Sequence, residues 1–400
     1  MKILHTADWH AGRTLHGVPR TAEIREALQE IAELAQTEAV DLILVAGDLF
    51  DTRNPGADAE AAVYEFFVTT GKAGIPSVVV AGNHDSPSRI DASSSLLSLT
   101  NTYAFGEVKV AGQGGAFSLH IGDEVAQIAA LPFISERRIV KVAELLDEDP
   151  GKWRERYQEG MRKLIQNLTT PFRPDAVNLL VTHTTMNGAT LSNSEYQFHS
   201  TENYSLSSDL FPERCNYVAL GHIHKPQAID GYPENAGRYS GSILQLDFGE
   251  QGDTKYVYIV EARAGKPTTL IKQHEIQSGK RLRRVKVALD ELDRRTEELA
   301  EFDGWLKVTV NLEHPLPGLK DRIRRHLPNV LAIELSLPDQ AEETQQGVDL
   351  EKISMSEAYA QFYEETRGQA PSEELKKAFN DLFEASSDGE ATADSVLETA

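Results

Sequence analysis

Five short polar segments contain Asp, Asn and His residues whose types and spacing suit metal binding. Asp8 and His10 are two residues apart, a spacing that places both side chains on one face of an extended chain. His222 and His224 repeat this spacing. The other three segments are Gly47-Asp48-Leu49-Phe50-Asp51, Gly82-Asn83-His84-Asp85 and Val181-Thr182-His183. Taken singly, each segment is also explained by a turn, a cap or an interior histidine.

Taken together, the five segments supply the ligands for a pair of divalent cations, and Asp48 could bridge the two. Oxygen and imidazole ligands without a thiolate favour manganese, iron or zinc over calcium or a closed structural zinc site, and the imidazoles argue against magnesium. Two-metal sites suit phosphoester hydrolysis, because they activate a water and neutralise charge on the phosphate. His84 could stabilise that phosphate or protonate the leaving oxygen, with Asp51 orienting its imidazole.

The elements that must position these residues are short apolar runs that come directly before the polar segments. Runs of Val, Ile and Leu without alternation are typical of strands buried on both faces. We therefore predict an α/β layered domain in which all five segments end strands of one sheet. The predicted strands are 2–7, 41–46, 77–81, 125–131, 178–182, 217–220, 240–246 and 255–260, and the early helices are 21–38 and 57–70.

The rest of the chain predicts two further regions. Residues 261–279 are predicted to be a connection, and 281–335 a small β-α-β-β-α-β unit. The tail contains two amphipathic helix candidates, near 356–366 and 372–383, and its last dozen or so residues are predicted to be disordered. The predicted domains are 1–262, 280–337 and 338–400.

Charge is distributed unevenly along the 400 residues, so the net charge of −22 does not exclude nucleic-acid binding. Residues 339–400 hold 16 acidic and 4 basic residues, whereas 280–326 hold 12 basic and 9 acidic residues. No apolar run approaches the length of a membrane span, and the N-terminus lacks the apolar stretch of a signal peptide. The single cysteine, Cys215, fits a reducing compartment, so we expect a cytoplasmic protein.

The five segments together resemble the calcineurin-like metallophosphoesterases. Three stretches around them point to a narrower group: His5-Thr6-Ala7-Asp8-Trp9-His10-Ala11-Gly12-Arg13, Gly47-Asp48-Leu49-Phe50-Asp51-Thr52 and Leu220-Gly221-His222-Ile223-His224-Lys225-Pro226. These stretches are similar to the SbcD family, the nuclease subunits of bacterial SbcCD complexes. The resemblance implies a β-sandwich flanked by helices, a small α+β capping domain and a helical acidic tail. It covers the chain to about residue 340.

The resemblance also implies roles for particular residues. One metal would be bound by Asp8, His10, Asp48 and His224, the other by Asp48, Asn83, His183 and His222, with His84 assisting catalysis. The region that resembles the family's DNA-contacting capping domain contains Lys280, Arg281, Arg283, Arg284 and Lys286. A solvated run of charges is the commoner explanation for any one of these residues. Apolar stripes in the two tail helices (Ala358 and Phe362; Leu375, Phe379, Leu382 and Phe383) could dock on a partner or pack on this chain's own surface.

The family further implies manganese dependence, a homodimer, and association with SbcC, an SMC-like ATPase. Its activities are a 3′–5′ exonuclease on double-stranded DNA ends and an endonuclease on single strands and hairpins, in DNA end processing, repair and recombination. Two alternatives stay open at this point. One is a dinuclear phosphodiesterase or phosphatase on a non-DNA substrate, and the other is a non-catalytic scaffold at DNA ends.

Overall fold

The computed structural model describes residues 1–135, 138–139, 157–192, 205–233 and 235–337, together with positions 359, 363, 371–373 and 375–379 of the tail. The chain divides into two compact units. The first is Met1–Val310 with Leu316–Leu335, and the second is Asn311–Pro315 with Ser336–Ala400. Most of the predicted domains 1–262 and 280–337 lies in the first unit, and their boundary stays a prediction. Within the described residues, no helix is long and apolar enough to cross a membrane.

Helices and strands alternate along the first half of the chain, and strands dominate after it. In chain order the elements are β1 (Lys2–Thr6), β2 (Thr14–Leu15), β3 (Val18–Pro19), α1 (Thr21–Thr37), β4 (Leu42–Val45), α2 (Ala57–Lys72), β5 (Ser77–Val80), α3 (Pro87–Leu97), β6 (Thr102–Phe105), β7 (Ala116–Ile121), β8 (Glu124–Leu131), α4 (Tyr157–Leu168), β9 (Val177–His183), β10 (Tyr217–Gly221), β11 (Gln227–Ala228), β12 (Gly237–Tyr239), β13 (Tyr256–Glu261), β14 (Thr269–Glu275), β15 (Arg281–Ala288), α5 (Leu289–Ala300), β16 (Gly304–Asn311), α6 (Leu319–His326) and β17 (Val330–Ser336).

Two six-stranded sheets, in the orders β14-β13-β1-β4-β5-β6 and β11-β12-β10-β9-β8-β7, form the centre of the first unit. Their inner faces share one apolar core, in which Leu44 and Val80 of the first sheet pack with Leu179 and Ala219 of the second. The predicted α/β layered fold is confirmed. The expectation that one sheet carries all five polar segments is wrong, because β1, β4 and β5 belong to the first sheet and β9 and β10 to the second.

Helices cover the outer faces of both sheets. The predicted apolar face of α1 is buried against the first sheet, where Leu28 and Ile31 pack with Phe67 of α2. Leu164 and Ile165 of α4 pack on the second sheet. The layers are therefore helix, sheet, sheet and helix, which buries each central strand on both faces and explains why those strands read as uninterrupted apolar runs.

Two predictions between residues 240 and 279 are wrong. Residues 240–246 form no strand, because Gly241 has a φ of +77° and turns the chain after the short strand β12. Conversely, the predicted connection contains β14, which pairs antiparallel with β13. Exposed and half-buried residues alternate along this edge strand, with Ile271 47% exposed and Lys272 half-buried, so it lacks the apolar run of a central strand.

The region predicted as a capping unit has three strands rather than four. Its order is β15-α5-β16-α6-β17, and the strands form one sheet in the order β15-β16-β17. Leu282 of β15 packs with Leu15 and Phe248, next to Trp305 and Leu331 of the same small sheet.

Little of the acidic tail lies within the described residues. The first helix candidate and the predicted disordered end lie outside them, apart from Tyr359 and Tyr363. Residues 373 and 375–379 of the second candidate are helical, and the ring of Phe379 stacks on Tyr359 with their centroids 4.0 Å apart. This contact packs two parts of the tail on each other.

Candidate metal centre

All five polar segments meet where the carboxyl ends of the two sheets adjoin. Among the described residues, three sets each have ligand atoms that lie within 4.8 Å of one another: Asp8, His10 and His224; His10, Asp48 and His84; and Asp8, Asp48 and His183. The parallel strands β1, β4 and β5 bring in the first three segments, and the parallel pair β9 and β10 brings in the last two. The sequence-predicted cluster is therefore assembled from two sheets.

His10 and His224 direct the same ring nitrogen at one point. Their Nε2 atoms are 3.2 Å apart, and the Nδ1 atoms face carboxylates, Asp51 at 3.2 Å and Glu250 at 3.3 Å. A carboxylate accepts the Nδ1 proton, so both Nε2 atoms are left as acceptors. Two facing lone pairs repel unless a positive charge lies between them. This arrangement fits a divalent cation.

Asp48 lies between the two halves of the cluster. Its Oδ2 is 3.6 Å from Nε2 of His10 and 3.4 Å from Nε2 of His183, while Oδ1 accepts the main-chain N–H of His84 at 2.9 Å. The amide oxygen of Asn83 lies 3.0 Å from Nε2 of His183 and 2.8 Å from Nδ1 of His222. Asp48 is thus within reach of ligands from both sheets, as a bridging carboxylate requires.

Burial and opposite charges shift the pKa values of these groups strongly. Burial raises the pKa of Asp8 to about 7 and lowers that of His10 to about 4. Burial also disfavours a proton on His183, but the charge and hydrogen bond of Asp48, the charge of Asp8 and the hydrogen bond to Ala46 together outweigh burial and raise the pKa of His183 to about 9. His183 and its neighbours in turn hold the pKa of Asp48 well below its usual range, against the effect of burial. The buried carboxylates therefore favour a bound proton or a bound cation at this site.

Glycines let the main chain approach the histidine ligands closely. A Cβ on Gly47 would lie 2.3 Å from Nδ1 of His183, and one on Gly221 would lie 1.9 Å from the carbonyl oxygen of Ala46. That same oxygen accepts the Nδ1 proton of His183 at 2.8 Å, which leaves Nε2 for a ligand role. The glycine in each motif is explained by this crowding.

His84 is half-buried at the edge of the cluster, and Asp51 contacts its ring through the main chain rather than through the expected carboxylate. Its Nδ1 donates to the main-chain carbonyl of Asp51 at 2.9 Å, so Nε2 is directed away from that contact. The Asp51 carboxylate, which was expected to orient His84, instead contacts Nδ1 of His10 and the guanidinium of Arg13, each at 3.2 Å. The reason is that the turn after Asp48 presents the backbone of Asp51 to His84 and its side chain to His10.

Three buried charged residues around the site were not assigned a role from the sequence. Asp85 accepts main-chain N–H groups from Leu49, Phe50 and Gly82 and so joins two of the ligand segments. Glu250 and Lys255 lie behind His224. Asp85 follows His84 directly, so its place in the motif was a usable signal, whereas no spacing rule connects Glu250 or Lys255 with a histidine so much earlier in the chain.

Several basic side chains of the small β15-β16-β17 unit are engaged by their neighbours. Lys280 lies over the ring of Trp305, Arg283 over the ring of Phe302, and Arg281 forms an ion pair with Glu275 at 2.8 Å. These contacts restrain three of the five predicted phosphate-contacting residues.

Two family models and several known proteins match this sequence. A family model for calcineurin-like phosphoesterases matches residues 1–226, and a model described as the type 5 capsule protein repressor C-terminal domain matches residues 278–367. The SbcD subunit of the nuclease SbcCD from Bacillus subtilis strain 168 is 33% identical over 96% of this chain and 97% of its own length. The SbcD subunit from Escherichia coli K12 is 28% identical over 90% of this chain and 92% of its own.

Proposed function

We propose that this chain, a member of the calcineurin-like phosphoesterases, is a metal-dependent DNA nuclease. Within the phosphoesterases it belongs to the family of SbcD nuclease subunits. The reaction is hydrolysis of a phosphodiester bond. The single observation that carries the proposal is the convergence of the Nε2 atoms of His10 and His224, 3.2 Å apart beside two buried carboxylates, on one point.

Two divalent cations, manganese in this proposal, would be bound by two overlapping sets of residues. The mixed oxygen and nitrogen ligands without a thiolate support this choice of metal. Asp48, 2% exposed and close to histidines of both sets, would be shared. The first set is Asp8, His10, Asp48 and His224, and the second is Asp48, Asn83, His183 and His222.

The cations would lower the pKa of a water and neutralise charge on the phosphate that it attacks. The protein's own groups have separate tasks. His84 presents Nε2 at the edge of the cluster, where it can donate a hydrogen bond to a phosphate oxygen or a proton to the leaving 3′ or 5′ oxygen. Asp51 fixes the ring of His84 through its main-chain carbonyl and that of His10 through its carboxylate. Asp51 is thus a positioning residue for both rings.

We further propose that the chain acts as a homodimer with the ATPase SbcC on double-stranded DNA ends and hairpins, in the cytoplasm at the nucleoid. Support comes from its similarity to SbcD subunits of SbcCD nucleases over nearly its whole length. With a net charge of −22, the chain alone should bind duplex DNA weakly until its partner contributes basic surface. Tight binding by the isolated chain in moderate salt would contradict this.

A side-by-side assay tests the nuclease proposal. The full chain, with and without SbcC, is given manganese and either linear duplex DNA or bis(4-nitrophenyl) phosphate. We expect DNA cleavage that is lost in Asp48→Ala, because that substitution removes the shared carboxylate. Robust turnover of the small diester without any DNA cleavage, with SbcC present, would instead favour a phosphodiesterase for a non-DNA substrate.

A further inference from the structure

An ion pair between Glu250 and Lys255 lies buried directly behind His224. The two side chains are 0% and 2% exposed, and Oε2 of Glu250 is 2.5 Å from Nζ of Lys255. The other carboxylate oxygen lies 3.3 Å from Nδ1 of His224, and Oε2 also accepts the main-chain N–H of Leu246 at 3.2 Å. Both oxygens of Glu250 therefore contact hydrogen-bond donors, and the carboxylate has little freedom to rotate.

Lys255 holds His224 at a second point. Its ammonium donates to the main-chain carbonyl of His224 at 3.0 Å, and Ser242 donates its N–H to the same oxygen at 3.2 Å. One buried cation thus restrains both the backbone of His224 and, through Glu250, its ring. A buried ion pair adds little net stability compared with an apolar pair of similar volume, because desolvation offsets the attraction. Stability of the fold alone therefore gives a weak reason for this pair.

The imidazoles of the cluster differ in what lies behind them. His224 is backed by Glu250 and Lys255, whereas Nδ1 of His183 donates to the neutral carbonyl of Ala46 at 2.8 Å. His10 is similar to His224, because the Asp51 carboxylate and then the Arg13 guanidinium lie behind its ring, although those two groups are partly exposed. An imidazole that donates to a carboxylate is a stronger metal ligand and is held in the required tautomer. The two halves of the cluster are therefore unequal.

We infer that Glu250 and Lys255 are positioning residues that aim Nε2 of His224 at the point it shares with His10, and that they make this half of the cluster bind divalent cations more tightly than the half around His183. The inference rests on the metal pair of the proposed function but goes beyond it. It assigns a role to two residues that touch neither substrate nor cation, and it orders the two metal affinities.

Manganese titration of the metal-free full chain tests the inference without any activity measurement. Electron paramagnetic resonance reports free Mn²⁺, so the isotherm gives both affinities. We expect two classes of site in the unaltered chain, and His183→Ala should remove the weaker one. In Glu250→Gln the tighter class should weaken by about 10- to 100-fold, the usual effect of losing a carboxylate behind a ligating histidine, while the weaker class changes little.

Two further variants separate positioning from loss of fold. Glu250→Gln leaves the Lys255 ammonium unpaired, so the double variant Glu250→Gln/Lys255→Met removes both charges and should fold while still losing affinity in the tighter class. Glu30→Gln is the matched control, because Glu30 also accepts from a histidine, His274 at 2.8 Å, but lies outside the cluster. Both manganese affinities should be unchanged in that control.

The result that overturns the inference is a folded double variant whose tighter class is unchanged, or in which both classes weaken equally. A single class in the unaltered chain would contradict the ordering of affinities. Failure of the proposed function appears differently: the titration would follow the expected pattern while DNA remained uncut with SbcC present. The two ideas can therefore fail separately.

Discussion

A methyl group on Gly221 should damage the metal centre through the main chain, without altering any ligand side chain. Gly221 ends β10, one residue before His222. A Cβ at this position would lie 1.9 Å from the carbonyl oxygen of Ala46 and 2.9 Å from Nδ1 of His183. The φ of Gly221 is not positive, so Gly221→Ala should act through steric crowding rather than through backbone strain.

The size of the effect follows from these distances. An ordinary contact begins near 3.4 Å, so the Ala46 carbonyl and the new methyl must separate by about 1.5 Å. Crowding of this kind costs about 1–3 kcal/mol. The shift also breaks the 2.8 Å hydrogen bond from His183 to Ala46. A buried N–H left without an acceptor adds about 1–3 kcal/mol, so we expect a total loss of about 2–6 kcal/mol.

Denaturant unfolding and manganese titration together check this prediction. We expect the unfolding midpoint of Gly221→Ala to fall and the manganese site that includes His183 to weaken at least about 10-fold, since that ring loses the partner that orients it. Gly112→Ala is the matched control: its new Cβ would meet nothing within 4 Å, and stability should change by less than about 1 kcal/mol. An unfolding midpoint and affinities like those of the unaltered chain in Gly221→Ala would refute the reasoning.

Three other substitutions have defined outcomes. His84→Gln should lower DNA cleavage by about 10²- to 10⁴-fold, because a proton donor is lost, while manganese affinity measured in parallel stays near that of the unaltered chain; unchanged cleavage would contradict the role of His84. Burial alone would raise the pKa of Glu30, but hydrogen bonds from Ser278 and other groups hold this pKa below its usual value. Glu30 therefore stabilises the fold above its unfolded-state pKa, and this contribution is lost as the pH falls through the lower folded-state pKa. Glu30→Gln should therefore flatten the acid limb of a stability–pH curve, and a curve of the same slope would speak against this. Arg20, 1% exposed, forms a two-pronged ion pair with the half-buried Glu23, so Arg20→Met should cost about 1–3 kcal/mol in urea unfolding, and an unchanged stability would argue against this contribution.

Local pattern was sufficient to predict the strands that carry the site. β1, β4, β5, β9 and β10 lie between two layers, so each is an apolar run that stops where polar ligands begin. The same rule failed at residues 240–246, where Ile243, Leu244 and Leu246 are buried by an irregular segment rather than a strand. Apolar composition reports burial, and burial alone does not distinguish a strand from a packed loop.

Long-range pairing could not be read from the sequence. The polar segments were expected at one sheet edge, because every one follows a strand, but which strands pair depends on contacts far apart in the chain, such as His5 of β1 with Tyr258 of β13. The residues behind the ligands were missed for the same reason. Glu250 reaches His224 only because β12 and the turn after it return the chain to the carboxyl end of β10.

Backbone strain connects the ligand segments to one another. Asp8, His10, Asp48 and His222 have φ values of 53°, 48°, 50° and 99°, in the left-handed region that costs most residues about 1–3 kcal/mol. Three of their four main-chain N–H groups are fixed by neighbouring ligand segments: that of Asp8 donates to Gly47 at 3.0 Å, that of His10 to Asp48 at 3.1 Å, and that of His222 to the Asp8 carboxylate at 3.0 Å. Each of these three strained residues is thus held by another segment of the site. Because releasing one segment removes a restraint on the next, the ligands behave as a unit, and the effects of substituting two of them should not add.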